Sequence, residues 1–474
     1  MQLKPDLDLS GEHWHFVGIL GTGMRGLAIF ASECGAEVSG SDIRPPREGR
    51  ELIERGISVR VGQHRPRLSE DTSLVVASQA NPDDNAQLRE ARKRAPEIVR
   101  YPETVGQLMD QRRGIAVAGS HGKSTTASTA AYLMEKAGLE PSYLIGADIP
   151  QLGGSSRCGS GEHLIAEACE YQRSFLHLRP EIGVITNIDR EHIDYYYDMD
   201  DIREAFCDFA RQVDKDGALI VNADDPNMQC VIEAAECDVL RCSMESMDVE
   251  YAVENPWRAT RHTNFDIVCD GQNMGRLVTG LYGNHNIMNT LMASAACHRA
   301  GMNFDEIQEH IKEFEGVARR MQLIDDPWGV PVLSDYAHHP KEICASIEAA
   351  RQRFHNCRIF VVFQPHQYSR TRAMLPELSA SFDDVSLTLV SDIYAARDSL
   401  RDQEAISALD LVRGINQNDG VAYYVPEFEE IEDMVVGEVV TGDVVLVMGA
   451  GDIWQVAHNI KNKIAKKPAT QIAA

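Results

Sequence analysis

The stretch "AVAGSHGKSTT" (Ala116–Thr126) joins an apolar strand to a helix through a short loop with two glycines and a lysine. Gly119 and Gly122 allow backbone N–H groups to converge on phosphates, because neither residue has a side chain that keeps a ligand away. Lys123 can reach the outer phosphates of a nucleotide, and the Ser124 hydroxyl can bind Mg²⁺. The standard spacing has a glycine five residues before Gly122, where this chain has valine. The pattern predicts a shortened phosphate loop for ATP, with an ordinary helix start as the alternative.

A magnesium nucleotide also needs ligands close to that loop, and the ends of two later strands supply candidates. The segment "HLIAEACEY" carries Glu167, and "VITNIDREHIDYY" carries His192. Because the carboxyl ends of adjacent parallel strands converge on one crevice, we predict that both side chains lie near the phosphate loop. Glu170 and Asp194 are competing candidates, and spacing does not separate them.

A second glycine pattern precedes the first. The stretch "GILGTGMRGLA" (Gly18–Ala28) contains G-x-G-x-x-G, and "AEVSGSD" follows it like a second strand that ends at Asp42. Such a turn holds a diphosphate at a helix N-terminus, whether the diphosphate belongs to NAD, FAD or a nucleotide sugar. A tight turn without a ligand is the alternative, and Asp42 could equally be a helix cap.

Strands and helices alternate along the whole chain, which predicts an α/β fold. A chain of 474 residues exceeds what one hydrophobic core usually organises. We predict three domains over residues 1–112, 113–325 and 326–474: a Rossmann-like N-terminal domain, a central phosphate-loop domain with a parallel sheet, and a Rossmann-like C-terminal domain.

Charge and cysteine usage exclude several classes of protein. The formal net charge is −26, from 46 basic and 72 acidic residues, which excludes nucleic acid and anionic membranes as expected partners. The eleven cysteines include no C-x-x-C pattern, so we expect reduced thiols rather than a disulfide framework or a zinc site. Neither a signal-peptide pattern nor a membrane-spanning apolar run occurs, so we expect a cytoplasmic protein.

Six motifs together carry a family resemblance. In this order, the chain contains "GSHGKSTT", "LIAEACEYQRSFLHLRP", "VITNIDREHIDYY", "GNHNIMN", "SDYAHHP" and "FQPHQYSRTR". They resemble the Mur ligases of peptidoglycan synthesis over nearly the whole chain. The resemblance implies ATP-dependent joining of L-alanine to the carboxylate of UDP-N-acetylmuramate through an acyl phosphate, with ATP and Mg²⁺ as cofactors. It also implies that the N-terminal loop holds UDP and that no nicotinamide is involved.

The resemblance assigns roles to individual residues. It implies a catalytic set of Lys123, Glu167 and His192, and a metal-binding set of Ser124, Glu167 and His192. The implied ATP-binding set is Gly119, Ser120, His121, Gly122, Lys123, Ser124, Thr125, His285, Asn286, Asn289, Arg320 and Asp335. The implied UDP-binding set is Gly21, Thr22, Gly23, Met24, Ser41, Asp42 and Ser78. Tyr336, His338, His366 and Arg370 would border the amino acid, whose carboxylate a guanidinium can hold bidentately.

The sequence departs from the family pattern directly after Glu167. The common form continues with Asp-Glu-Ser-Asp, and this chain has Cys169, Glu170, Tyr171 and Gln172 instead. Two carboxylates of the loop are therefore lost. We also identify no lysine for the carbamylated position that several family members carry near the metal.

Three alternative functions stay open at this point. A related ligase would attach an intact recycled tripeptide to the muramate, an NAD-dependent oxidoreductase would use the N-terminal glycines, and an ATP-driven binding protein would use the central loop alone. Selectivity among alanine, glycine and serine, and the choice between monomer and homodimer, are not encoded in any motif.

Overall fold

Three β-sheets follow one another along the chain in a computed structural model, which describes residues 7–44, 49–62, 68–94, 96–258, 262–396 and 398–468. The first sheet is entirely parallel in its described strands, in the order β3-β2-β1-β4-β5. Its strands are β1 (His13–Val17), β2 (Glu37–Asp42), β3 (Ser58–Val61), β4 (Leu74–Ala77) and β5 (Glu97–Arg100), and the accompanying helices are α1 (Thr22–Glu33), α2 (Arg50–Glu54), α3 (Ala86–Arg94) and α4 (Tyr101–Met109). The loop after β1 lies where the strand order reverses, which is where such sheets bind ligands.

The second sheet has ten strands in the order β15-β14-β13-β12-β11-β10-β6-β9-β7-β8. The strands are β6 (Arg113–Ala118), β7 (Ser142–Ile149), β8 (Gly154–Arg157), β9 (His163–Glu167), β10 (Ile182–Ile185), β11 (Ala218–Asn222), β12 (Asp238–Ser243), β13 (Tyr251–Arg258), β14 (Thr263–Cys269) and β15 (Gln272–Thr279). The helices are α5 (Lys123–Lys136), α6 (Met199–Gln212), α7 (Gln229–Ala234), α8 (Asn284–Arg299) and α9 (Phe304–Ile311), with 3-10 segments at Pro150–Leu152 and Tyr171–His177. Because β6 pairs in parallel with both β9 and β10, the ends of these three strands share one edge. The edge strand β8 is antiparallel to β7. The second sheet is therefore mixed, whereas the sequence predicted a parallel sheet.

The third sheet has the order β16-β17-β21-β18-β19-β20, with only β16 antiparallel among its described strands. The strands are β16 (Gln322–Asp325), β17 (Val332–Asp335), β18 (Ile359–Phe363), β19 (Leu387–Val390), β20 (Ala422–Tyr424) and β21 (Val444–Met448). The helices are α10 (Pro340–Arg353), α11 (Tyr368–Ala373), α12 (Leu375–Ser379), α13 (Leu400–Ala405), α14 (Ala408–Gln417), α15 (Phe428–Glu438) and α16 (Trp454–Lys466), with a 3-10 segment at Pro327–Gly329. Apolar cores cover both faces of this sheet, as continuous apolar strands such as "IFVVF" require.

The predicted α/β class with three sheets rich in parallel strands is confirmed. Two compact units divide the chain: one comprises Met1–Glu254, Asp266–Leu277 and Met288–Phe314, and the other comprises Asn255–Phe265, Val278–Ile287 and Glu315–Ala474. The first and third sheets therefore lie in different units. Within the described part of the chain, no helix combines the length and the apolar character needed to cross a membrane.

The cysteine prediction is wrong for one pair. Cys34 and Cys158 form a disulfide with their Cα atoms 5.8 Å apart, although 124 residues separate them in sequence. Helix α1 packs against β7 and β8, and this contact between the first and second sheets brings the two sulfur atoms together. Spacing along the chain cannot reveal such a pair. The other nine cysteines are free, as predicted.

Candidate active site

The phosphate loop lies between β6 and α5, as the sequence predicts. Gly119 has φ 130° and Gly122 has φ 82°, which are backbone conformations that other residues rarely adopt. A Cβ atom at Gly119 would overlap the Thr186 hydroxyl, and one at Gly122 would overlap the Asn289 amide. Gly122 precedes α5 without a side-chain cap, so the N–H groups of the first helical turn can bind phosphate.

Residues that follow β10 hold the loop in shape. The Asn187 carbonyl accepts from the Ser120 N–H at 2.9 Å, and the Asn187 side-chain oxygen accepts from the His121 N–H at 2.9 Å. The Asp189 carboxylate lies 3.1 Å from Nε2 of the His121 ring. The backbone N–H of Asp189 donates to the Ser120 hydroxyl at 2.8 Å. With the Thr186 hydroxyl, which donates to the His121 carbonyl at 2.5 Å, three residues that follow the neighbouring strand support the loop.

Lys123 is an ion-pair partner of Glu170. Its ammonium lies 2.9 Å from the Glu170 carboxylate and 3.0 Å from the Ser120 carbonyl oxygen. Burial acts to lower the pKa of Lys123, but neighbouring negative groups, Glu170 foremost, outweigh it and hold that pKa above its ordinary value. Burial acts to raise the pKa of Glu170, and the Lys123 charge holds it below its ordinary value. Both groups are therefore charged.

Glu167, at the end of β9, accepts hydrogen bonds from two neutral groups. Its carboxylate accepts from the Ser124 hydroxyl at 3.0 Å and from the Gly146 N–H at 2.8 Å. The structure thus brings together two of the three residues in the predicted metal-binding set. A hydroxyl and a carboxylate oxygen in contact are suitable ligands for a hard divalent cation.

His192, the third of that set, lies 3.3 Å from the Glu170 carboxylate through Nε2. Its Nδ1 is buried and has no hydrogen-bond partner in the described residues, and its backbone has φ 52°. The ring packs against Tyr171, with ring centroids 4.9 Å apart. Asp194, a competing candidate in the sequence, accepts from the Tyr171 hydroxyl at 3.1 Å instead.

The N-terminal glycine loop is supported by the residues predicted to follow it. Asp42 accepts from the Leu20 N–H at 2.9 Å, and the Ser41 hydroxyl donates to Gln87 at 2.7 Å. Asp42 thus holds the glycine loop, and Ser41 links β2 to α3. Gly21, Thr22, Gly23 and Met24 form the start of α1, and Ser78 follows β4 beside Gly18. A Cβ at Gly23 would lie 2.8 Å from the Tyr101 ring, which explains the second glycine of the pattern.

The predicted adenine-side residues divide between the two compact units. Asn289 belongs to the first unit, where it lies next to Gly122. His285 and Asn286 belong to the second unit at the start of α8, where the Asn286 side chain donates to the Tyr282 carbonyl at 2.7 Å.

The predicted amino-acid-binding residues form one cluster in the second unit. The His338 ring lies 5.5 Å from the Tyr336 ring and 5.6 Å from the His366 ring, by centroid distance. The Arg370 guanidinium lies 3.3 Å from His366 Nδ1 and is buried. His366 also stacks on Tyr394 with centroids 5.5 Å apart. Four side chains spread over 35 residues of sequence are therefore neighbours.

Two further predicted residues border this cluster. The Arg320 guanidinium lies 5.0 Å from the centre of the Tyr336 ring. Asp335 accepts from the N–H groups of Met321 at 2.6 Å and Ala337 at 2.7 Å, and burial raises its pKa to about 6. Arg319, which the sequence did not indicate, lies 4.7 Å from the same Tyr336 ring and donates to the Gly449 carbonyl at 2.7 Å.

Sequence reasoning missed other residues as well. Thr186, Asn187 and Asp189, which support the loop, follow a predicted strand, and polar residues in that position are a usable signal. The Lys123–Glu170 pair had no comparable signal, because the sequence does not show which of two nearby carboxylates turns toward the lysine.

Comparisons with known proteins agree in all three parts of the chain. Residues 13–113 match the Mur ligase family, catalytic domain; residues 117–297 match the Mur ligase middle domain; and residues 319–451 match the Mur ligase, glutamate ligase domain. A UDP-N-acetylmuramate–L-alanine ligase of Pelotomaculum thermopropionicum is 37% identical over 96% of this chain and 98% of its own length.

Solved structures show the same fold. A UDP-N-acetylmuramate-alanine ligase of Thermotoga maritima superposes with a TM-score of 0.81 at 24% identity, covering 95% of this chain and 98% of that one. A murein peptide ligase of Psychrobacter arcticus gives 0.70 at 22% identity, covering 96% and 99%. With three matched domains and a relative of 37% identity along nearly the full length, the chain belongs to the Mur ligase family.

Proposed function

We propose that the chain joins L-alanine to the carboxylate of UDP-N-acetylmuramate and converts ATP to ADP and phosphate. One observation carries the proposal: a lysine-bearing phosphate loop with Ser124 3.0 Å from Glu167, in a chain of this family. The relative from Pelotomaculum, which bears the name of this reaction, supports the choice of substrates. An NAD-dependent oxidoreductase has no use for the phosphate loop and is not proposed.

The first step is phosphoryl transfer. An oxygen of the muramate carboxylate attacks the γ-phosphorus of ATP, the bond from γ-phosphorus to the bridging oxygen breaks, and acyl phosphate and ADP result. Lys123 and the N–H groups of the first turn of α5 would bind the transferred phosphoryl group. Catalysis of this kind depends on positioning and on neutralising charge, which the rigid loop provides.

The residues around the loop fit a divalent cation. Ser124 and Glu167 are in contact, and His192 has a buried nitrogen without a partner in the described residues. We propose that these three residues hold Mg²⁺, which would neutralise phosphate charge when bound.

The second step forms the amide. The amine of L-alanine attacks the activated carbonyl carbon, and the tetrahedral intermediate releases phosphate. In the second unit, the buried Arg370 with Tyr336, His338 and His366 would bind the alanine carboxylate. A guanidinium suits this task because it binds a carboxylate through two parallel hydrogen bonds.

We further propose three functional domains with the predicted limits 1–112, 113–325 and 326–474. The first would bind UDP through the loop after β1, where Gly21–Met24 begin α1. The second would bind ATP and the third the amino acid. The supporting facts are the three sheets and the three matched family domains.

The deciding experiment measures phosphate release from Mg-ATP with UDP-N-acetylmuramate and L-alanine, with an intact tripeptide, or without any amine. We expect release that requires L-alanine, and one new amide product by mass spectrometry. Release only with the tripeptide would indicate a murein peptide ligase instead, which is the name that the Psychrobacter structure bears. Release without any amine would contradict ligation.

A further inference from the structure

Glu170 lies at the centre of the phosphate site. Its side chain is 2% exposed, and its carboxylate contacts both the Lys123 ammonium, at 2.9 Å, and His192 Nε2, at 3.3 Å. Its own carbonyl oxygen accepts from the Tyr196 hydroxyl at 2.6 Å. One carboxylate therefore connects the phosphate-loop lysine to the histidine from the next strand.

The loop that carries Glu170 has an unusual backbone. Gln172 and Arg173 have φ 52° and 55°, and left-handed conformations are uncommon for residues other than glycine. The Arg173 guanidinium anchors the loop to α6, where it contacts the carboxylates of Asp201 at 2.6 Å and Asp208 at 3.3 Å. Strained backbone persists only where surrounding contacts impose it, and it concentrates at functional sites.

The two carboxylates near the loop have different partners. Glu167 contacts a hydroxyl and a backbone N–H, so its charge is available to a cation. Glu170 contacts the Lys123 ammonium, so its charge is already balanced. A buried ion pair adds little net stability compared with apolar packing, which makes stability alone a weak reason for this arrangement.

We propose that Glu170 is a positioning residue that holds Lys123 and His192 in fixed places for phosphoryl transfer. The inference rests on the proposed function. Without the Glu170 charge, the Lys123 ammonium is free of its anion and attracts nucleotide phosphates at least as strongly. It is also no longer held in place, and misplacement of a catalytic group by about 1 Å lowers rates on the order of 100-fold.

The test uses the full chain with Glu170→Gln, which keeps the shape of the side chain and removes its charge. Glu170→Asp retains the charge on a shorter side chain. Glu181→Gln is the matched control, because Glu181 forms a comparable pair with Arg113 at 2.6 Å, directly before β10 and therefore at the opposite end of the sheet. Calorimetric titration with ATP in EDTA measures nucleotide affinity without metal, and phosphate release with L-alanine gives kcat and KM for ATP.

We expect Glu170→Gln to bind metal-free ATP at least as tightly as the wild type, with kcat lowered about 10- to 100-fold. Glu170→Asp should recover part of kcat, and Glu181→Gln should stay within about twofold of the wild type in both measurements.

Weaker ATP binding in Glu170→Gln would overturn the proposal, as would an unchanged kcat. A wild type without amine-dependent phosphate release would refute the proposed function instead, and the binding titration would still test Glu170. If Glu170→Gln does not fold, Glu170→Asp decides: a kcat equal to that of the wild type overturns the proposal.

Discussion

At the scale of single residues, Lys123 carries the clearest prediction. Its side chain is 13% exposed in the phosphate loop, and we expect Lys123→Ala to lower turnover by at least about 100-fold, because the transferred phosphoryl group loses its fixed cation. Binding of UDP-N-acetylmuramate should survive, since the proposed UDP loop follows a different sheet. Phosphate release and calorimetric titration with that substrate measure the two effects. Loss of both would mean that the UDP site is misplaced.

His15 carries a prediction about stability. It is 5% exposed on β1, and its pKa is lowered from 6.5 to about 4, mainly by burial, with smaller contributions from the charges of His13 and Arg60. Above pH 6.5 the His15 ring is neutral in both the folded and the unfolded chain, so its protonation does not lower the free energy of unfolding. Between pH 6.5 and 4 the unfolded chain binds a proton that the folded chain excludes, so the free energy of unfolding falls as the pH falls, by at most about 3 kcal/mol.

The measurement compares unfolding of the wild type and His15→Gln at pH 7 and pH 4.5. Glutamine can replace the hydrogen bonds that His15 makes to Ser39 and Gln87 but does not titrate. We expect the variant to lose less stability than the wild type on acidification. Equal losses would show that other groups dominate the pH dependence.

At the scale of elements, the turn from β6 into α5 permits only glycine at its first bend. We expect Gly119→Ala to abolish ATP binding, because φ 130° is strained for alanine and the new methyl group overlaps Thr186. Gly154→Ala is the control, since a Cβ there meets nothing within 4 Å and the backbone is not left-handed. Titration with ATP measures both variants. Wild-type affinity in Gly119→Ala would contradict this geometry for the loop.

Elements with local signals could be predicted, and elements defined by distant contacts could not. The loops after β1 and β6 follow from glycine spacing and flanking apolar runs, so both were predicted in the right place. The cluster around Arg370 was found through resemblance, because its members follow two different strands, β17 and β18. Glu170 was predicted only as a metal candidate, because the residue types do not show which of the two carboxylates contacts Lys123.

At the scale of the whole molecule, the pattern of alternating strands and helices predicted three sheets. The same pattern did not predict the strand at one edge of the second sheet. Strand β8 is four residues long and antiparallel, and "GSSR" has none of the apolar character that marks the buried strands. Helix α1 nevertheless packs on this strand, next to the Cys34–Cys158 disulfide. Contacts of this kind, between elements of different sheets, depend on shape, which periodicity does not encode.

The disulfide gives a prediction for the molecule as a whole. It closes a loop of 124 residues, and the loss of chain entropy in the unfolded state stabilises the folded one by up to about 5 kcal/mol in the chain-entropy account. We expect reduction with dithiothreitol to lower the melting temperature of the wild type by several degrees, and Cys34→Ser to melt at that lower temperature with or without reductant.

The control is Cys344→Ser, which removes an exposed free thiol and should respond to reductant like the wild type. Thiol titration of the denatured, unreduced protein should find nine free thiols, because two of the eleven cysteines are paired. Eleven thiols, or a melting temperature in Cys34→Ser equal to that of the oxidised wild type, would show that α1 and β8 are joined by packing alone.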